Sequence, residues 1–205
     1  LIPTWGATPQ EVARALPGDD LITGKPSVTW TVAKTINAPA EDVYPWLVQM
    51  GDTRAGYYSY MFIEKVIGPK LYNNADRIHP EWQNPEKGQG VIFDILAVED
   101  YEPGSWFLVR DTPQLGGVKW VWVWLVEPID ATHSRLINRF VIQAPGEVGS
   151  GPLLAYMVSG GFIMEQNMMQ GIAQRAEGRG EFAYIEPVEI VLWLAALFAG
   201  LWAAR

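Results

Sequence analysis

The stretch GVKWVWVWLVEP, residues 117–128, predicts a β-strand with two apolar faces. Successive side chains of a strand point to opposite faces. Three tryptophans therefore share one face: Trp120, Trp122 and Trp124. The opposite face carries aliphatic residues between two charged ones: Lys119, Val121, Val123, Leu125 and Glu127. Because charged side chains favour contact with water, we expect the tryptophan face to point into the protein.

The next segment, residues 133–143, divides in the same way. One parity is polar: Arg135, Arg139 and Gln143. The other parity is mostly apolar and should also point inward: Leu136, Asn138, Phe140 and Ile142. The outer face of 117–128 is itself apolar in its middle, so another element must cover it. The N-terminal segment, the C-terminal apolar segment and a partner subunit are all candidates, and the sequence does not choose between them.

Composition limits the possible functions. The chain has 205 residues, of which 49% are hydrophobic and 19% charged, which suits one ordinary domain with an appendage. A net charge of −8 argues against nucleic-acid binding, which needs a basic surface. There is no cysteine, which excludes disulfides and thiol chemistry. Ten tryptophans indicate a large apolar pocket, an interface or a membrane boundary.

The rest of the chain predicts an α+β protein. Residues 1–27 form an N-terminal strap with one short helix, which Thr8 and Glu11 cap. A strand, two short helices, four meandering strands and a long helix follow, over residues 27–38, 39–51, 57–67, 90–99, 104–111, 117–127, 133–143 and 152–178.

This order resembles the helix-grip fold of the SRPBCC superfamily, which includes START domains, relatives of the birch-pollen allergen and polyketide cyclase/dehydrase-like proteins. Five motifs carry the resemblance: WGATPQEV…LPGDD, APAEDVYPWLVQMG, AGYYSYMFIE, NADRIHPEWQ…KGQG and EPVEIV. It runs from about Trp5 to Gly178 and implies a helix-grip domain over residues 28–180. In such a domain a curved antiparallel sheet wraps around the long C-terminal helix. The superfamily houses carriers, enzymes and regulators, so the resemblance specifies the fold more than the function.

The resemblance implies a ligand cavity between the sheet and the long helix. Its predicted lining comes from the strands and from the methionines of that helix: Phe93, Trp120, Trp122, Trp124, Leu136, Asn138, Phe140, Met157, Met164 and Met168. The alternative is a filled core without a cavity. Tyr57, Tyr58 and Tyr60 are expected at its mouth, where their hydroxyl groups reach water.

Few residues suggest chemistry. Glu165, in the middle of the long helix, would be a candidate general base with a raised pKa if it is buried. Such a residue is more often exposed or paired with an arginine. The loop segment DRIHPEW brings His79 close to two carboxylates, but a loop ion pair or cap around Arg77 explains it better than a metal site. We therefore expect no catalytic residue, no metal and no cofactor.

Residues 186–205 predict an additional apolar helix and a possible membrane anchor. From Ile190 to Ala204 there is no charged residue, and this run would extend only about 22 Å, which is short of a bilayer. The predicted membrane or partner contacts are Ile190, Trp193, Leu194, Leu197, Phe198, Leu201 and Trp202. A buried core helix or a dimer contact is the alternative. Arg175 and Arg179 precede this segment and favour a cytoplasmic globular domain.

The leading hypothesis is binding or carriage of a hydrophobic small molecule or lipid by a membrane-associated protein. One alternative is an accessory subunit of a membrane-protein complex, without ligand turnover. The other is an enzyme of polyketide cyclase/dehydrase type. Such an enzyme would need two or three ionisable groups facing the cavity, and the predicted strands offer few. We therefore favour binding over catalysis.

Overall fold

The computed structural model describes residues 4–61, 64, 74–146 and 152–179, and the single positions 188, 191, 192 and 195. Within these residues six strands form one sheet in which every neighbouring pair is antiparallel, in the order β1-β6-β5-β4-β3-β2. The strands are β1 Val28–Ile36, β2 Gly90–Ile92, β3 Leu96–Glu102, β4 Trp106–Asp111, β5 Lys119–Pro128 and β6 Ser134–Gln143. The helices are α1 Pro9–Ala13, α2 Ala40–Val48 and α3 Pro152–Ala176. The α+β class and the long C-terminal helix are confirmed.

The main core lies between one face of this sheet and the helices α2 and α3. From β5 and β6 it includes Trp122, Trp124 and Phe140, and from α3 it includes Met169 and Ile172. Strands β5 and β6 pair along their whole length, so that Trp122 lies opposite Phe140 and Trp124 opposite Asn138. This alignment places the apolar side chains of both strands on the same inner face, as their alternation predicts.

The N-terminal strap covers the outer face of β5. Val121, Val123 and Leu125 form a second core cluster with Leu16, and Leu21 and Ile22 pack against its edge. Removing this apolar surface from water stabilises the strap on the sheet. Of the three covers that the sequence left open, the structure shows the strap.

Two arginines of β6 hold the strap by hydrogen bonds. Arg139 donates to the carbonyl oxygens of Glu11, Val12 and Arg14, to the Asp19 carboxylate and to the Thr31 hydroxyl. Its five N–H groups are thereby paired although the residue is buried. Arg135 donates to both carboxylate oxygens of Glu11 at 2.7 and 2.9 Å, and these bonds hold the pKa of Glu11 near 2. The outward parity of these arginines therefore fixes the N-terminal segment.

The predicted strand over 90–99 is wrong in its middle. It is a hairpin of β2 and β3, and its turn contains Phe93 and Asp94 with φ of 47° and 59°. Asp tolerates this left-handed conformation, and the Phe93 N–H is held by the Asp52 carboxylate at 2.8 Å. Phe93 is consequently exposed, so it does not line the interior as predicted.

Of the predicted helix over 57–67, positions 57–60 are not helical, 61 and 64 are, and the remainder lies outside the described residues.

The predicted apolar helix over 186–205 lies almost entirely outside the described residues. Its described positions are helical and exposed: Val188, Val191, Leu192 and Ala195. The predicted contacts Ile190, Trp193, Leu194, Leu197, Phe198, Leu201 and Trp202 are not among them. In the part of the chain that can be described, no helix combines the length and the apolar character needed to cross a bilayer.

Candidate ligand site between the sheet and the long helix

The inner face of the sheet carries a connected group of aromatic rings. Trp122 and Trp124 meet edge to face with centroids 5.3 Å apart, and Trp120 meets Phe140 at 4.9 Å. Phe140 stacks in turn on Trp30 of β1, with centroids 3.9 Å apart and planes 6° from parallel. The aromatic group therefore spans three adjacent strands, and the cross-strand pair of Trp30 and Phe140 extends it to β1.

Trp30 was not among the residues predicted for the site. Its signal is in the sequence, because Trp30, Val32 and Ile36 share one parity of the segment SVTWTVAKTINA. That parity is the inner one, since all three residues belong to the main core. Applying the alternation that oriented β5 to β1 would have identified Trp30.

Glu165 of α3 projects into this aromatic group. It is 2% exposed, and its Oε2 accepts a hydrogen bond from Trp30 Nε1 at 2.5 Å. Burial raises the pKa of Glu165 to about 8, and the Trp30 and Trp122 indoles lower it by a smaller amount. The carboxyl group is therefore mostly protonated at neutral pH. Of the two environments weighed from the sequence, the structure shows the buried one, with an indole rather than an arginine as partner.

Several other polar atoms of this interior are buried without a hydrogen-bond partner. They include the indole Nε1 atoms of Trp120, Trp122 and Trp124, Oε1 of Glu165, Oδ1 of Asn138 and the Tyr44 hydroxyl. The amide nitrogen of Asn138 is satisfied, because it donates to the Val123 carbonyl at 3.1 Å. A buried unpaired polar group costs on the order of 1–3 kcal/mol. Their accumulation between the sheet and α3 sets this region apart from an ordinary apolar core.

The remaining predicted residues differ in position. Leu136 and Met168 belong to the main core. Met164 is half-buried, and its carbonyl oxygen accepts from the Ser59 hydroxyl at 2.8 Å. The side chain of Met157 lies outside the described residues, and Phe93 is on the surface. The structure therefore places the tryptophans, Leu136, Asn138, Phe140 and Met168 around one interior, while their role in ligand binding stays a prediction.

Two of the three tyrosines predicted for the cavity mouth have a different role, whereas the third, Tyr60, is half-buried. Tyr57 and Tyr58 are buried, and the Tyr57 hydroxyl donates to the Val91 carbonyl at 2.8 Å. The Tyr58 hydroxyl accepts from Gln49 Nε2 at 3.0 Å, and the Arg175 guanidinium lies over its ring. Burial raises the pKa of both tyrosines. These two residues therefore support the interior rather than bordering solvent.

The DRIHPEW loop contains a local pair. His79 Nδ1 lies 3.2 Å from a Glu81 carboxylate oxygen, and the imidazole stacks on Trp82 with centroids 4.1 Å apart. The pair thus involves His79 and Glu81 rather than Arg77. Among the described residues, no three His, Asp or Glu side chains are grouped closely enough to hold a metal ion.

A cavity of about 300 Å³ lies on the opposite side of the sheet, beneath the strap. Val12, Asp19, Ile22, Thr31 and Arg139 are among its lining residues. Its most polar group, the Arg139 guanidinium, has all of its donors paired with the strap and with Thr31. A ligand there would have to replace these bonds. The interior around Glu165 has polar atoms without partners and is therefore the stronger candidate.

Comparison with known proteins gives similarities of structure. No protein-family model and no curated protein matches the sequence. A hypothetical protein from Helicobacter pylori is 15% identical, with a TM-score of 0.47 over 80% of this chain and 96% of its own. Ara h 8.0201 is 14% identical, with a TM-score of 0.41 over 74% and 95%. An aromatase/cyclase from a Streptomyces species is 17% identical, with a TM-score of 0.34 over 77% and 98%. These matches cover most of each chain and concern its architecture alone.

Proposed function

We propose that this protein binds an apolar small molecule between the inner face of its sheet and α3. The observation that carries the proposal is the set of partnerless buried polar atoms on Trp120, Trp122, Trp124 and Glu165 within one aromatic interior. Ligand sites in proteins are typically apolar and aromatic, with a few polar groups that fix the orientation of the ligand. This interior has that composition.

The side chains of this region allow an apolar molecule to be accommodated. Trp122 and Trp124 are buried in the same core cluster as Met168. The flexible thioether side chain of Met168 can change its conformation to accommodate a bound ligand. Trp120 is only half-buried, so the row of tryptophans runs from the sealed interior toward the surface. A ligand entering at Trp120 would displace flexible side chains and would meet the unpaired indole N–H groups in succession.

Binding can be tested with Nile red, a neutral probe whose emission increases in apolar surroundings. We expect saturable binding at one site per chain, accompanied by quenching of tryptophan emission. Leu136→Trp should weaken binding at least tenfold, because Leu136 is fully buried in this interior. Leu21→Trp, at a half-buried position of the strap on the opposite face of the sheet, is the matched control and should bind normally. Unsaturable binding, or equal binding by both variants, would contradict the proposal.

Mass spectrometry of organic extracts from gently purified protein addresses the alternatives. A stoichiometric apolar compound supports a binding protein or carrier. A constant set of co-purifying polypeptides, without such a compound, supports an accessory subunit. Turnover of a bound polyketide would instead support the enzyme, for which Glu165 is a buried ionisable group of this interior.

The proposal extends to membrane association through residues 186–205. Its support is the apolar sequence of this segment and the exposure of Val188, Val191 and Leu192 in helical conformation. Exposed apolar helical positions favour contact with a partner or a lipid surface. The full chain should fractionate with membranes and require detergent for release, whereas a chain ending at Gly180 should not. Equal fractionation of the two would refute this extension and leave the ligand site untouched.

A further inference from the structure

We infer that the ligand carries a neutral carbonyl group and that Glu165 recognises it by donating a hydrogen bond from Oε1–H to the carbonyl oxygen. This inference rests on the proposed function and narrows it to a chemical class: apolar ketones, esters or quinones rather than hydrocarbons or free fatty acids. It depends on three observations: Glu165 is protonated, several donors lie around it, and no described cation lies beside it.

The geometry around Glu165 assigns different roles to its two oxygens. Oε2 accepts from Trp30 Nε1 at 2.5 Å, and Oε1 is buried without a partner. Because burial raises the pKa of this carboxyl group to about 8, it carries a proton at neutral pH. With Oε2 engaged as an acceptor, Oε1 is the position from which the acid donates. A ligand atom that pairs with it must therefore be an acceptor.

The indole N–H groups around Glu165 also need an acceptor. The Nε1 atoms of Trp120, Trp122 and Trp124 are buried donors that make no hydrogen bond of good geometry, although the Trp122 indole lies close enough to Glu165 to lower its pKa. An indole nitrogen can only donate. A ligand amine would pair with an ionised Glu165 but would leave these three N–H groups unsatisfied. A ligand with acceptor oxygens can pair with the acid and with the indoles.

The charges around the interior disfavour an anionic ligand. Burial and the two indoles set the pKa of Glu165, and within the described residues no charged side chain contributes to it. On β1, Lys34 shares the inner parity but lies four residues from Trp30, about 13 Å along the strand. On α3, Arg175 lies over Tyr58, ten residues from Glu165. Among the described residues, the carboxylate of a ligand bound beside Glu165 would therefore lack a counter-charge, which makes a neutral carbonyl the better ligand.

Other titratable groups are buried in or beside this interior. They include Tyr44 of α2, and Tyr57, Tyr58 and Glu64 of the segment that follows α2. Burial raises the pKa of the three tyrosines. The inner parities of β5 and β6 contribute no Asp, Glu, Lys, Arg or His between Trp120 and Val126 or between Leu136 and Ile142. A change in ligand preference between about pH 6 and pH 10 that wild type shows and Glu165→Gln does not therefore reports on Glu165.

The test uses three ligands with a common ring system: acetylnaphthalene, its hydrocarbon analogue isopropylnaphthalene, and naphthoate. Their dissociation constants are measured by equilibrium dialysis against the full chain. At about pH 6 the wild type should bind the ketone roughly tenfold more tightly than the hydrocarbon, as one hydrogen bond predicts. It should bind naphthoate more weakly than the ketone. At about pH 10 the ketone preference should fall below about twofold, because ionised Glu165 cannot donate.

Three variants test whether the ketone preference depends on the proton of Glu165. Glu165→Gln retains an N–H donor that does not titrate, so it should keep the ketone preference at both pH values. Glu165→Met has a similar length and no donor, so it should lose the preference at both. Glu41→Gln, at an exposed position of α2, is the control and should behave as wild type. If Glu165→Met does not fold, the pH series on wild type and Glu165→Gln decides the question.

The possible failures can be told apart. If neither the ketone nor the hydrocarbon binds, the proposed function itself is wrong. If the ketone and the hydrocarbon bind equally at about pH 6, or if Glu165→Met keeps the ketone preference, the interior binds apolar molecules but Glu165 does not recognise a carbonyl group. Tighter binding of naphthoate than of the ketone would overturn the assignment to neutral carbonyl compounds.

Discussion

Trp30 Nε1 on the first strand donates a hydrogen bond of 2.5 Å to Glu165 Oε2 on the long C-terminal helix. The two residues are separated by 135 positions in sequence, and their bond crosses the interior between the sheet and α3. The acid can remain there because it is protonated, since an ionised carboxylate without a cation would be costly at this depth. The stability of the fold therefore depends on the proton that Glu165 holds.

This dependence predicts a loss of stability with rising pH. The pKa of Glu165 is raised from an ordinary value of 4.5 to about 8 in the folded protein. Between these values the folded state binds a proton that the unfolded state has released, so the stabilisation is complete below about pH 4.5 and is lost as the pH rises to about 8. The free energy of unfolding should fall by roughly 3–4 kcal/mol between about pH 5 and pH 8 through this group.

The measurement is urea unfolding of wild type and Glu165→Gln across this range. Gln preserves an acceptor for the Trp30 indole but does not ionise. The difference between the two curves therefore isolates Glu165 from all other titrating groups. Curves that remain parallel from about pH 5 to pH 8 would show that Glu165 is not the buried acid described here.

A second prediction concerns the contact between α3 and the loop after α2. Gly171 of α3 lies so close to that loop that a Cβ atom would be 2.2 Å from the Tyr58 carbonyl oxygen. Tyr58 has a φ of 59°, a strained conformation for a tyrosine that this packing helps to hold. Gly171→Ala should lower the free energy of unfolding by about 2 kcal/mol or more, since backbone must move.

Gly160 provides the matched control in the same helix. It is exposed, and a Cβ atom at this position would meet nothing within 4 Å. Gly160→Ala should therefore stabilise the protein by up to about 1 kcal/mol through helix propensity. Chemical denaturation of both variants gives the comparison, and a destabilisation shared equally by them would exclude the close contact as the cause.

A third prediction concerns the tryptophan face. Trp124 is completely buried, whereas the side chain of Trp5 in the strap is 46% exposed. Trp124→Ala should cost about 3–5 kcal/mol as a large-to-small change in the core. Trp5→Ala should cost less than about 1 kcal/mol. The loss of Trp124 should also remove blue-shifted emission that aqueous quenchers do not reach, and the loss of Trp5 should remove quenchable emission. The reverse pattern would contradict the inward orientation of this face.

The orientation of β5 and β6 could be predicted because their alternation has a period of two and their polar positions fall on one parity. The same rule failed at Phe93, because the apolar pattern continues through a tight turn that a phenylalanine and an aspartate form at positive φ. Periodicity does not detect a turn that lacks Gly or Pro. The error therefore arose from turn chemistry and not from the choice of strand.

The cover of the outer face could not be predicted for a different reason. It depends on contacts such as that between Arg139 and Asp19, which are 120 residues apart. Local patterns show that Arg139 points outward but not which segment it meets. The role of Glu165 could be predicted only in part. The sequence identified it as a candidate, but its burial depends on which side of a largely apolar helix faces the sheet.

The last prediction tests how the strap is attached. Arg139 is buried and makes five hydrogen bonds, of which four go to the strap residues Glu11, Val12, Arg14 and Asp19. Arg139→Met keeps much of the side-chain volume but leaves these acceptors without their donor. The free energy of unfolding should fall by about 3 kcal/mol or more, because buried acceptors lose their partners. The strap should also become susceptible to trypsin after Arg14, which is held in wild type by two bonds to Glu127.

Arg110→Met is the control, because Arg110 is partly exposed and its contact with Glu99 is long, at 3.5 Å. It should change the stability by less than about 1 kcal/mol and leave cleavage after Arg14 unchanged. Urea unfolding and timed tryptic digestion measure both effects. If Arg139→Met is as stable as Arg110→Met and equally resistant to trypsin, the apolar contacts of Leu16, Leu21 and Ile22 hold the strap by themselves. If its strap is cleaved while the rest of the chain stays folded, the arginine attaches the strap and the main core is stable without it.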